Sequence, residues 1–144
     1  MPRVVLVTGK GGVGKTTTAA ATAVRAALSG LRTLVMSTDA AHSLGDALDV
    51  DLRTARTWDD SHAVEPGLHA LAVGAHTAVE ADWQVVRDYL LGVLDAMGVD
   101  PVVADELTSL PGAEEVTALA AIALQTQRGQ WDLVVVDCAP TAET

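Results

Sequence analysis

Lysine, threonine and four glycines stand together near the start of the chain, in the run Gly9-Lys10-Gly11-Gly12-Val13-Gly14-Lys15-Thr16-Thr17. The pattern is G-x-x-x-x-G-K-[ST], and its chemistry is capture of a polyphosphate. Glycine lets the backbone turn successive N–H groups inward, and the positive end of a following helix completes an anion cradle. Lys15 supplies a mobile charge for the β- and γ-phosphates of a nucleoside triphosphate, and the Thr16 hydroxyl is a ligand for Mg²⁺. Residues Lys10, Gly11, Gly12, Val13, Gly14, Lys15, Thr16 and Thr17 are therefore the candidate nucleotide-binding residues. Lys10 is the unusual member, a second lysine at the start of the loop. Local physics alone leaves it open to being a solvated loop residue.

Two acids complete the constellation. Asp137 follows the apolar run Leu133–Val136. An acid there, in a chain with a phosphate loop, is the expected partner of the Mg²⁺ ion. Asp39 follows the strand-like Thr33–Ser37. A carboxylate at that place could orient and deprotonate an attacking water, and aspartate also suits a turn or helix cap. Position alone leaves both open.

The elements that must position these residues alternate. Strands are expected at Arg3–Thr8, Thr33–Ser37, Leu68–Val73 and Leu133–Val136. Helices are expected from Lys15 to about Ser29, from Ser43 to Leu48, over Thr77–Met97 and Pro101–Leu107, and over Ala113–Arg128. In the long segment the apolar residues Val79, Trp83, Val86, Leu90, Val93, Leu94 and Met97 recur at helical spacing. Residues 49–66 read as polar and irregular. Strands alternating with helices specify an α/β fold with a mostly parallel, doubly wound sheet, and ligands in such sheets bind at the carboxyl ends of the strands. The apolar run Leu133–Val136 reads as a central strand buried on both faces.

Bulk composition narrows the partners. The formal charge is -10 with no basic stretch, which argues against nucleic acid. Cys138 is the one cysteine, so the chain has no internal disulfide and no cysteine-rich metal site. No apolar run approaches the roughly 20 residues of a membrane span, and no signal peptide precedes the first strand, so a cytoplasmic location without direct membrane insertion is expected. The chain ends at Thr144 within a strand-end loop and is expected to be a fragment of a longer protein.

Four segments occur in a telling order: Gly9–Thr17, Ser37-Thr38-Asp39-Ala40-Ala41-His42-Ser43-Leu44, Leu110-Pro111-Gly112-Ala113-Glu114-Glu115 and Asp137-Cys138-Ala139-Pro140-Thr141. Together they resemble the ArsA family, the arsenite-pump ATPases and their relatives that deliver tail-anchored membrane proteins. These are deviant-Walker P-loop NTPases, grouped with the MinD and ParA ATPases. The resemblance implies a Mg²⁺-dependent ATPase working as a homodimer or a tandem pseudo-dimer, coupled to a membrane pump subunit or a membrane-protein client. It implies that Lys10 reaches the partner's nucleotide and acts on charge in trans, as an arginine finger does. Asp39 takes the place of the switch I acid that positions water, and Asp137 that of the switch II acid near Mg²⁺. Asp39, Lys10 and Lys15 are thus the candidate catalytic residues, and Thr16 and Asp137 the candidate metal ligands. His42 matches a switch I histidine that packs within its loop, whereas His62, His69 and His76 match no motif. The family usually has proline where Ala40 stands, which predicts a less rigid loop. Cys138 stands where threonine is common, and one thiol does not make an arsenite site. A MinD- or ParA-like positioning ATPase and a nucleotide-binding piece without turnover are the alternatives.

Overall fold

A computed structural model describes residues 1–39, 43–53, 60–73, 91–100 and 113–140. In chain order the elements are β1 (Arg3–Val7), α1 (Lys15–Leu28), β2 (Thr33–Ser37), α2 (Ser43–Leu48), β3 (His62–Glu65), β4 (Leu68–Ala72), α3 (residues 91–96), α4 (Ala113–Gln127) and β5 (Leu133–Asp137). The five strands form one sheet in the order β1-β5-β2-β4-β3. Pairing is parallel from β1 through β4, and only β3 runs antiparallel to its neighbour.

The register aligns the strand ends. Val7 and Ser37 both pair with Asp137, and Ser37 also pairs with Ala72. The carboxyl ends of β1, β5, β2 and β4 therefore make one straight edge, from which the phosphate loop and both candidate acids emerge.

Every residue of β2 and β5 is buried. Their alternating side chains feed two cores. Val35, Leu133 and Val135 pack with Ala19, Ala20 and Ala23 of α1 and Leu44 of α2. Leu34, Met36, Val134 and Val136 pack on the other face with Ala121 and Ile122 of α4. This is the doubly wound arrangement expected, with helices on both sides of β5. The alanines bring α1 close to the sheet, and α1 then ends at Gly30 (φ 88°). There the Gly30 N–H donates to the Ala27 carbonyl and the Leu31 N–H to Ala26, the paired bonds of a left-handed helix stop.

β3 corrects the expectation of an irregular 49–66 segment. It is short and only Val64 is half-buried, so it carries no alternating pattern to detect. The Pro66-Gly67 turn, with Gly67 at φ 81°, folds it back onto β4. The expected long helix is described only at residues 91–96, and the expected Pro101–Leu107 helix lies outside the described residues. Among the described residues β1 has no strand on its outer edge, and Val4, Val5 and Leu6 are 42%, 38% and 56% exposed.

The amino ends of the strands are fastened by Arg32 and Asp132. Arg32 Nε and Nη2 reach the two oxygens of Asp132 at 3.1 and 2.8 Å, and the Arg32 N–H adds a third bond at 2.9 Å. Beside them the buried Trp131 indole donates to Gln125 Oε1 and stacks at a tilt on His69, with ring centroids 5.1 Å apart. His69 is thus a half-buried packing residue and His62 an exposed one; His42 and His76 lie outside the described residues.

Candidate functional site: a phosphate loop facing two acids

The loop between β1 and α1 takes the backbone path that its glycines permit. Gly9, Gly12 and Gly14 have φ of 146°, 75° and 87°. A Cβ added at Gly11, Gly12 or Gly14 would meet nothing within 4 Å, so these glycines border open space. α1 begins at left-handed Gly14 with no side-chain cap and no acid in its first turn. A helix start that leaves its first N–H groups without a side-chain acceptor, and without an acid to offset the dipole, suits an external anion.

Lys15 lies across this loop, its Nζ donating to the Lys10 carbonyl at 2.8 Å. Lys10, Gly11, Gly12, Val13, Gly14 and Thr17 are exposed along the loop and the first turn. Thr16 points inward, and its Oγ1 donates to Asp137 Oδ2 at 2.7 Å. Asp137 is 1% exposed, and its Oδ1 has no hydrogen-bond partner. Burial pushes its carboxyl above the usual range, and the nearby Asp39 charge adds to this. The Thr16 hydrogen bond, the Lys15 charge and the nearby Ser37 hydroxyl pull it back.

These donors fit Mg²⁺. A hydroxyl and a carboxylate are hard oxygen ligands, and a buried carboxylate oxygen without a partner is a costly group unless something binds it. Among the described residues no cluster of three or more His, Cys, Asp or Glu exists that would hold a metal by itself.

Asp39 is half-buried at the end of β2, where its N–H donates to Ser37 Oγ at 3.2 Å. Cys138 is half-buried and packs against the α4-side core. Its thiol is pushed up by burial and by the Asp137 charge. The fold thus brings Lys15, Thr16, Asp39 and Asp137 to one edge, and leaves the Lys10 side chain exposed on the rim. Ala40, Thr141 and the Leu110-Pro111-Gly112 segment lie outside the described residues. The sequence alone assigns Ser37 and Thr38 no separate role, although both are hydroxyl residues at the end of an apolar strand.

A strand, a glycine loop with Lys15 and Thr16, and an acid at the end of the adjacent parallel strand define a P-loop NTPase. A solved cobyrinic acid a,c-diamide synthase from Mycobacterium smegmatis, with bound ADP and magnesium, shares this fold at a TM-score of 0.60 and 22% identity, covering 97% of this chain and 51% of that one. The chain belongs to the anion-transporting ATPase (ArsA) family, which it matches over residues 2–144. A Chlorobaculum tepidum protein named "Putative arsenical pump-driving ATPase" is 44% identical over 142 residues, covering 99% of this chain. The ATPase ASNA1 homolog 1 of Paramecium tetraurelia is 32% identical over 97% of this chain. The chain spans 34% and 41% of the length of these two curated relatives. Among the described residues no helix is long and apolar enough to cross a membrane.

Proposed function

We propose that the protein binds ATP with Mg²⁺ and hydrolyses it, as the N-terminal part (residues 1–144) of a single P-loop ATPase domain. The observation that carries this reading is the Thr16–Asp137 pair at 2.7 Å, with the second carboxylate oxygen buried and unpartnered beside an uncapped helix start. The loop N–H groups and Lys15 hold the β- and γ-phosphates, for which Lys15 exchanges its bond to the Lys10 carbonyl. Thr16 and Asp137 hold Mg²⁺, which offsets charge on the phosphate oxygens. Asp39 orients the water that attacks the γ-phosphate and accepts its proton. Lys10, exposed on the rim, acts on the nucleotide of a second subunit or a tandem copy. Family membership supports a cytoplasmic setting and work on a partner. That work is driving a membrane pump, as the name of the Chlorobaculum relative suggests, or delivering a membrane-protein client.

The test is Mg²⁺-dependent ATP binding and turnover by the full-length protein, with Lys15→Ala beside it. The variant is expected to lose ATP affinity by on the order of 10²-fold or more. Tight ATP binding retained by Lys15→Ala sinks the assignment, and binding without turnover in the unaltered protein reduces it to a nucleotide-binding module.

A further inference from the structure

The Thr38 side chain joins the segments that follow β2 and β5. Beyond the sheet edge the ladder continues for one step: the Thr38 N–H donates to the Asp137 carbonyl at 3.0 Å, and the Cys138 N–H donates to the Val7 carbonyl at 3.0 Å. The next rung is no longer backbone to backbone. The Ala139 N–H donates to the Thr38 Oγ1 at 2.9 Å. Thr38 therefore grips residues 137–139 twice, once with its N–H and once with its hydroxyl. It does so between Ser37, whose hydroxyl accepts from the Asp39 N–H, and Asp39 itself.

We propose that Thr38 is a positioning residue that makes the Asp39 segment and the Asp137–Pro140 segment move as one unit. The bridge is local and directional. A shift of Asp39 toward a γ-phosphate carries Thr38 with it, and Thr38 draws on Ala139, two residues past the Asp137 carboxylate. Replacing the hydroxyl by a methyl leaves the backbone rung in place and removes the side-chain rung. The Ala139 N–H then opens to water, while Asp39 and Asp137 remain in the chain but lose their fixed spacing.

Two measurements on the full-length protein test this. The first uses no nucleotide and is independent of the ATPase reading: hydrogen exchange at the Ala139 amide. Thr38→Val is expected to speed it roughly fivefold to tenfold, the worth of one hydrogen bond, and Thr38→Ser to restore it. The second rests on the ATPase reading. Thr38→Val is expected to lower kcat by about tenfold or more through lost alignment, with KM for ATP within about twofold, and Thr38→Ser to recover it. Unchanged Ala139 exchange overturns the proposal, as does an unchanged kcat or a rise in KM alone. If Thr38→Val does not fold, Thr38→Ala against Thr38→Ser makes the same comparison. Failure of the unaltered protein to bind ATP overturns the nucleotide reading instead, and the exchange comparison still decides the bridge.

Discussion

β5 has an aspartate at each end, and the two live in opposite circumstances. Asp132, just before the strand, is partly exposed and has both oxygens engaged by Arg32. Its carboxyl is held down at about 2, by the Arg32 side-chain and backbone hydrogen bonds. Asp137, the last residue, is buried, shares one oxygen with Thr16, leaves the other without a partner and has its carboxyl pushed up. At one end of the sheet the charge is matched from within. At the other the group is buried with one oxygen unmatched, next to helix N–H groups that also lack side-chain acceptors. On the proposed function, the unsatisfied acid is the one that would hold Mg²⁺, and the satisfied one serves the fold.

The contrast can be broken most forcefully at Asp137. Asp137→Asn is expected to lower Mg²⁺-dependent ATP turnover by on the order of 10²-fold or more. Without nucleotide it should melt no lower than the parent, because a costly buried charge has been removed. A lower melting temperature would show that Asp137 serves the fold as Asp132 does. Asp39→Asn comes next: ATP affinity is expected to stay within about threefold while turnover falls on the order of 10²-fold. Unchanged turnover would make Asp39 a turn residue only.

Arg32→Ala tests the other end and should leave nucleotide binding alone. Because the folded carboxyl of Asp132 lies below its ordinary value of 3.8, the pair stabilises the fold above that value. That contribution is lost as pH falls from there through about 2. Acid unfolding curves should therefore show a small loss of stability at neutral pH for the variant and a flatter slope across this window. An unaltered slope removes Arg32 as the cause. The smallest effect concerns Cys138, whose thiol is raised partly by the Asp137 charge. Alkylation at mildly alkaline pH should be slow in the parent and measurably faster in Asp137→Asn, which makes Cys138 a reporter of its neighbour's charge. Equal rates in the two proteins would mean that burial alone sets the thiol.

Much of this was legible in the residues. The Gly9–Thr17 run announces its own backbone path, because glycine takes the φ values found at Gly12 and Gly14 without the strain that a Cβ brings. The unbroken apolar run before Asp137 marks a strand buried on both faces, and β5 is flanked by β1 and β2. What was not legible depends on pairing. The placement of β5 between β1 and β2 is a long-range fact with no local signal. β3 has no such signal, because exposed strands need no hydrophobic alternation. The Thr38–Ala139 rung joins residues far apart in sequence, so only their register across β2 and β5 discloses it.

The outer edge of β1, which carries no strand among the described residues, bears on mechanics. β1 carries the phosphate loop at its end, and its ladder is anchored to β5 on one side only among the described residues. Whatever strand pairs with the other side gains leverage on the loop's stiffness, because each added backbone bond narrows the path open to Gly9 and its neighbours. The exposed Val4, Val5 and Leu6 give such a strand apolar surface to cover. A peptide strand that pairs along this edge would therefore be read at the loop, as a change in how tightly a polyanion is held.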